Sequence, residues 1–161
     1  MMLQHIVRHT LPAAYAVLPP ATQSQAASAL IMAIGWQETR FVGRRQLVGP
    51  ARGFYQFERT GVEGVLGHAR TADHAQAALV ALCYDKSETV GVLMRAIEHN
   101  DTLATVFARL LLWTLPEPLP SRYEEATAWH QYLGVWRPGR PRPETWSEAY
   151  RTAWACVLTN D

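Results

Sequence analysis

Hydrophobic residues recur at helical spacing from about residue 24 to residue 41, where Ala, Leu, Ile and Met dominate. Thr22 followed by Gln25 fits a capping box near the start of this segment. Four residues lie on one face of the predicted helix, because they follow one another at spacings of 3, 4 and 3: Ile31, Ile34, Glu38 and Phe41. The pattern predicts a helix that carries one carboxylate within its apolar stripe.

The rest of the chain is also predicted to be helical, so the expected fold class is mainly α. Thr71 or Asp73, Ser87 and Asp101 are the predicted N-caps of three of these helices. The predicted helices cover about residues 3–18, 61–66, 71–83, 88–98, 102–113, 121–133 and 144–158. No run of alternating apolar and polar residues is long enough to form the core of a sheet.

Glycine and proline interrupt the helical pattern between residues 42 and 57. This segment is predicted to be an ordered loop, with at most a short extended piece. Loops of this length without regular structure are often functional.

Composition fits a single domain spanning residues 1–161, of which 48% are hydrophobic and 18% charged. The formal net charge of +1 gives no general attraction to nucleic acid or to an anionic membrane. No stretch approaches the ~20 apolar residues of a membrane-spanning helix, and no signal peptide is evident. Cys83 and Cys156 lie in apolar helical contexts and are predicted to be buried free thiols.

The carboxylate of Glu38 is the strongest candidate for chemistry. A charge on a core-facing stripe is costly unless it is paired or neutralised, and desolvation raises the pKa of a carboxyl group. A carboxyl group that keeps its proton near neutral pH is suited to general acid catalysis. Glu38 is therefore a candidate general acid.

Other candidate sites have weaker support. His5 and His9 are four residues apart, but no third ligand lies nearby in sequence, so neither a metal site nor a cofactor is expected. Arg137, Arg140 and Arg142 alternate with prolines in a small basic patch, for which nucleic-acid binding is a minor alternative. Five tryptophans are predicted to lie in the core rather than to bind sugar: Trp113, Trp129, Trp136, Trp146 and Trp154.

Two motifs resemble the soluble lytic transglycosylases of the lysozyme-like superfamily. The sequence Glu38-Thr39-Arg40-Phe41 is similar to the Glu-Ser-x-Phe signature that ends the catalytic helix of that family. The sequence Ala51-x-Gly53-Phe54-Tyr55-Gln56 is in register with the family loop Gly-Ala-x-Gly-Leu-Met-Gln, without a gap. Two motifs in register are far more specific than either alone, and the resemblance covers about residues 26–57.

The resemblance implies a single lysozyme-like domain, with a catalytic helix at about residues 24–41 and a motif loop at residues 42–57. It implies an enzyme that cleaves the β-1,4 bond between N-acetylmuramic acid and N-acetylglucosamine in peptidoglycan. Glu38 would protonate the leaving oxygen and then accept a proton from the 6-hydroxyl that attacks C1, giving a 1,6-anhydromuramyl product.

Six residues are candidates for binding the glycan: Trp36, Arg52, Gly53, Phe54, Tyr55 and Gln56. Gly53 would let the backbone approach the sugar, the rings of Phe54 and Tyr55 would offer an apolar face, and Gln56 would form hydrogen bonds. Four arginines flank the expected cleft and either bind carboxylates of the substrate or pair with local acids: Arg40, Arg44, Arg45 and Arg52.

Departures from the family pattern leave alternatives open. Leu47 stands nine residues after Glu38, where the family has a serine, Pro50 stands where it has a glycine, and Phe107-Ala108-Arg109 takes the approximate place of an Ala-Tyr-Asn-Ala-Gly motif. One alternative is a structural component of a phage particle with reduced or no activity. Another is a hydrolytic muramidase, for which Glu58 or Glu63 would supply a second carboxylate, although a surface or helix-capping role is expected for both.

Small size, arginine-rich composition and the lack of an evident export signal suggest a phage-encoded protein. It would act as part of the virion or at the host cell wall or periplasm. Its expected partners are peptidoglycan strands and other virion proteins.

Overall fold

Helices form most of the chain in the computed structural model, which describes residues 2–160. The mainly α fold class is therefore confirmed. The α-helices are α1 (Met2–His5), α2 (Leu11–Ala16), α3 (Gln25–Thr39), α4 (Arg59–Gly67), α5 (Ala72–Ala81), α6 (Val90–His99), α7 (Asp101–Trp113), α8 (Glu125–Trp136) and α9 (Pro143–Leu158). A π-helical turn, Ile6–Thr10, joins α1 to α2, and a 3-10 turn, Pro20–Thr22, precedes α3.

Helix α3 runs through the core, with residues 29–35 all buried. Its N-cap is Ser24, whose hydroxyl accepts a hydrogen bond from the Ala27 amide at 3.0 Å, so the prediction of Thr22 as the cap was wrong. The helix ends at Thr39 because Arg40 and Phe41 both take positive φ values, 52° and 55°. The ring of Phe41 nevertheless returns to the core, where it occupies the space that a Cβ on Gly35 would need.

Two other predicted caps shift by one or two residues. Thr89, rather than Ser87, caps α6 by accepting a hydrogen bond from the Val92 amide at 3.3 Å. Asn100, rather than Asp101, caps α7. Because Ser, Thr, Asn and Asp are all good caps, local sequence cannot choose between neighbours of this kind.

Packing of α3 against α9 is the most extensive contact between helices, and α7 also lies against α3. Aromatic rings of α8 and α9 form a continuous row beside α3. Tyr132 is stacked on Trp146 with ring centroids 5.2 Å apart, and Trp146 on Tyr150 at 5.9 Å. These contacts join the C-terminal third of the chain to one contiguous hydrophobic core.

The loop at residues 42–57 is ordered, as predicted, and its short extended pieces form isolated bridges from Arg52 to Arg45 and to Phe57. Ion pairs fasten it to α6 and α7. Arg44 pairs with Asp101, while Arg45 and Arg52 pair with Glu98 at 2.9 and 3.2 Å. Gly53 has a φ of +72°, and a side chain there would collide with the carbonyl oxygen of Ile97.

Cysteine burial was predicted wrongly. Both thiols are free, but Cys83 is exposed and Cys156 is half-buried. Cys83 follows the last turn of α5 with a φ of 64°, so the chain turns it away from the core that the preceding helix faces.

Within residues 2–160, no group of three or more metal-binding side chains is close enough to hold an ion. The rings of His5 and His9 lie 5.1 Å apart. In the same range, no helix is long and apolar enough to cross a membrane.

Candidate active site

A cleft of about 980 Å³ opens beside the C-terminal end of α3. Its walls come from the end of α3, the motif loop, α4, and the segment that joins α8 to α9. Glu38 lies on the wall, in the last turn of α3 before the left-handed Arg40. The helix therefore presents its one core-stripe carboxylate at the boundary between core and cleft.

Glu38 is half-buried and its carboxylate accepts a hydrogen bond from the Tyr132 hydroxyl at 2.6 Å. Burial raises the pKa of Glu38 above its ordinary value, because desolvation disfavours the charged form. The Tyr132 hydrogen bond and the charge of Arg142 lower that pKa, and the charge of Glu58 raises it. Burial is the largest of these effects, so the group is tuned towards the protonated form that a general acid requires.

Neighbouring Gln37 fixes the last turn of α3 to the segment before α9. Its side-chain amide donates to the Arg142 carbonyl at 2.8 Å and its amide oxygen accepts from the Thr145 hydroxyl at 2.9 Å. The Arg142 guanidinium in turn donates to the Gln37 carbonyl. Because Gln37 is only 3% exposed and both ends of its amide are satisfied, the backbone that carries Glu38 is held firmly.

Gln56 of the second motif lines the same cleft as Glu38. Its side-chain amide donates to the Gly53 carbonyl at 2.9 Å, which leaves its amide oxygen available to a ligand. The two motifs are linked directly as well, since the Thr39 hydroxyl donates to the Phe54 carbonyl at 2.8 Å. The fold thus brings together the two residues, Glu38 and Gln56, that anchor the motifs.

Phe54 and Tyr55 do not face the cleft, which corrects the prediction that their rings would contact a sugar. Each is only 1% exposed. Both rings pack edge-on against Phe41, and the Tyr55 hydroxyl shares a hydrogen bond with Thr105 at 2.9 Å. Apolar side chains here stabilise the loop by joining the core beneath it.

Gly53, Arg52 and Trp36 also lie away from the cleft lining. Gly53 is buried against α6, and Arg52 is paired with Glu98. Trp36 is half-buried on the previous turn of α3, with the Arg40 guanidinium 5.6 Å from its ring centroid. Their roles in this structure are to hold the loop and the helix end.

The arginines at the end of α3 and in the motif loop form ion pairs with local acids, which is one of the two predicted alternatives. Arg44 and Arg45 make the ion pairs described above, and Arg40 lies 3.6 Å from Glu148. The arginines that do line the cleft come from the Arg-Pro segment between α8 and α9.

Three residues of the cleft were not predicted as site residues from the sequence. Tyr132 and Arg142 flank Glu38, and Trp136, predicted to lie in the core, is half-buried on the cleft wall. The Trp136 indole donates to the Tyr55 carbonyl at 2.8 Å and packs on Phe57 with centroids 5.8 Å apart. The run of arginines and prolines after α8 was the only local signal of this wall.

Of the two possible second carboxylates, Glu58 lines the cleft and Glu63 does not. Glu58 is the N-cap residue of α4, although its side chain forms no capping hydrogen bond. Glu63 pairs with Arg59 one turn earlier at 2.7 Å. A surface role is therefore correct for Glu63, whereas Glu58 shares the cleft with Glu38.

The positions that depart from the family pattern are not among the residues that line the cleft. Leu47 and Pro50 are exposed on the loop surface. Arg109 is buried in α7, where it donates to the Thr22 carbonyl at 2.6 Å and lies 4.8 Å from the Trp113 ring centroid.

Comparison with protein families, with curated proteins and with solved structures found no match to this chain.

Proposed function

We propose that this protein is a peptidoglycan-cleaving glycosidase that breaks the bond between N-acetylmuramic acid and N-acetylglucosamine, with Glu38 as its single acid and base. The observation that carries the proposal is the position of Glu38, whose half-buried carboxylate lies on a cleft wall that also holds Gln56. Burial there raises the pKa of Glu38. A cleft of about 980 Å³, with Glu38 on its wall, has room for more than one sugar ring of a glycan strand.

In the proposed reaction, protonated Glu38 gives its proton to the glycosidic oxygen as the bond from that oxygen to C1 breaks. The 6-hydroxyl of the same muramic acid then attacks C1 and its proton passes to the Glu38 carboxylate. The bond is replaced by an internal 1,6-anhydro ring, so no water is consumed and Glu38 is returned to its starting state. The Tyr132 hydroxyl, 2.6 Å from the carboxylate, stabilises the charged form between the two transfers.

Hydrolysis is the second candidate chemistry, because Glu58 lies in the same cleft as Glu38 and its charge acts on it. In an inverting glycosidase a second carboxylate acts as the general base that activates a water molecule, and Glu58 is the candidate for that role. Mass spectrometry of the products distinguishes the two reactions, since anhydro ends are lighter than reducing ends by one water.

The first test compares wild-type protein with Glu38→Gln on purified peptidoglycan. We expect wild-type protein to release soluble fragments with anhydro ends. Gln keeps the shape and the hydrogen bond from Tyr132 but has neither an acidic proton nor a basic carboxylate, so we expect turnover to fall by at least ~10³-fold.

Circular dichroism and thermal melting provide the control that the variant is folded. Unchanged activity in Glu38→Gln would refute the assignment. No turnover by the wild-type protein would favour the alternative of a structural virion component on the same scaffold.

A further inference from the structure

Acidic and basic side chains of the cleft come from different elements. The acids, Glu38 and Glu58, come from the end of α3 and the start of α4, whereas the segment between α8 and α9 contributes Arg137, Arg140 and Arg142. An anionic group of a substrate is therefore attracted towards the arginines and repelled by the acids.

Two of these arginines have no acidic partner. Within residues 2–160, neither Arg137 nor Arg140 takes part in an ion pair, and Arg137 makes only a 3.3 Å hydrogen bond from its Nε to the Gly134 carbonyl. The arginines of the motif loop, by contrast, are paired with Glu98 or Asp101. Arg142 is occupied as well, since it donates to the Gln37 carbonyl.

The backbone of this segment is constrained. Arg137 ends α8 in the left-handed conformation, with φ 48° and ψ 52°, Pro138 follows it directly, and Pro141 restricts the backbone of Arg140. Trp136 immediately precedes the segment, is anchored to the Tyr55 carbonyl at 2.8 Å and lines the same cleft as the two arginines.

We propose that Arg137 and Arg140 form a carboxylate-binding subsite that selects glycan strands by the charge on the muramic acid side chain. This inference rests on the proposed function. The ligand is a carboxylate on the lactyl arm of muramic acid, either the free lactyl group of a bare strand or a carboxylate of an attached stem peptide. Guanidinium groups bind carboxylates through two parallel hydrogen bonds, which gives specificity as well as attraction.

The test uses the double variant Arg137→Gln with Arg140→Gln and three kinds of glycan strand. The first kind is stripped of peptides by an amidase and has free lactyl carboxylates. The second is the same material with those carboxylates converted to methylamides, and the third retains its stem peptides. For strands of the first or the third kind, we expect the double variant to have a KM about 10-fold or more above that of the wild type, with kcat unchanged. For the methylamidated strands, we expect its KM to equal that of the wild type.

The control is the double variant Arg122→Gln with Arg151→Gln, which removes the same charge from exposed positions outside the cleft lining. It should leave all three KM values unchanged. An effect on the first kind alone identifies the lactyl carboxylate as the ligand, and one on the third alone identifies the stem peptide. An equal effect on the charged and methylamidated strands, or none on either, would overturn the subsite.

Equilibrium binding to Glu38→Gln separates this inference from the proposed function. One outcome is that wild-type protein cleaves no strand, while Glu38→Gln binds charged strands more tightly than methylamidated strands. If that preference is also lost when both arginines are replaced, the subsite is supported and the proposed function is refuted. If wild-type protein cleaves charged and methylamidated strands with equal KM, the subsite fails and the proposed function stands.

Discussion

At the scale of single residues, the state of Glu38 depends on opposing effects. Burial favours the protonated acid, whereas the Tyr132 hydroxyl and the Arg142 guanidinium favour the carboxylate. The pKa remains raised, so burial has the larger effect. The neighbours limit that shift, which keeps both protonation states accessible to a residue proposed to act as acid and then as base.

Replacing Tyr132 with Phe should shift the pH dependence of cleavage. The substitution removes a hydrogen bond that stabilises charged Glu38, so the pKa of Glu38 should rise further. Because the free enzyme must have Glu38 protonated, kcat/KM falls as pH rises through that pKa. We therefore expect the alkaline limb of the profile of kcat/KM against pH to move to higher pH.

The matched control for this experiment is Tyr15→Phe, which removes a hydroxyl that shares a 2.9 Å hydrogen bond with Ser28, away from the cleft. Its alkaline limb should coincide with that of the wild type. A limb that stays in place or moves to lower pH in Tyr132→Phe would contradict the role assigned to this hydrogen bond.

At the scale of elements, α4 forms one wall of the cleft, and two of its residues on that wall are glycines. Gly61 and Gly64 are one turn apart and both line it. A Cβ on Gly64 would meet no atom within 4 Å, so the residue leaves space rather than relieving a clash. Glycine costs a helix about 1 kcal/mol relative to alanine, and at Gly64 it leaves this part of the cleft open.

Replacing Gly64 with Leu should obstruct the cleft without unfolding the protein. The side chain would project into the cleft from a helix that tolerates it, so we expect an unchanged or slightly raised Tm together with a clear rise in KM for glycan strands. Melting curves and steady-state kinetics measure the two effects.

Gly67→Leu provides the comparison, because Gly67 lies in the same helix, also has open space around it, and is outside the cleft lining. It should leave KM unchanged. Equal kinetics for the two leucine variants would argue that substrate does not pass along α4.

At the scale of the whole molecule, α9 supports the site that α3 presents. The row of rings from Tyr132 through Trp146 to Tyr150 joins α8 to α9, and α9 in turn packs along α3. Tyr132 therefore reaches Glu38 because a helix near the end of the chain holds it there.

Trp146→Ala should destabilise the whole domain. Trp146 is 3% exposed, and its indole donates to the Glu125 carbonyl at 3.1 Å. Removing a buried tryptophan side chain costs about 3 to 5 kcal/mol, which for a domain of this size lowers Tm by roughly 6 to 20 °C. Calorimetry measures the change.

Tyr123→Ala removes a ring that is 80% exposed and serves as the control, with an expected change within about 0.5 kcal/mol. If Trp146→Ala has the same Tm as the wild type, the aromatic row does not hold α9 in place.

Local sequence determined the elements of this protein, because helical periodicity, capping residues and glycine-proline interruptions act over only a few residues. The helices, the ordered loop at residues 42–57 and the carboxylate in the stripe of α3 were all predictable on that basis. The helix caps could be located only to within one or two residues, since neighbouring residues compete for the same amide groups.

Only tertiary structure decided what surrounds Glu38. Its partner Tyr132 is 94 residues away in sequence, and Gln37 meets Arg142 across 105 residues. Tertiary packing also places Phe54 and Tyr55 in the core, and it places Trp136 and the arginines of the following segment on the cleft wall. The side of a loop that faces the core depends on which distant helices cover it, and no pattern within the loop itself contains that information.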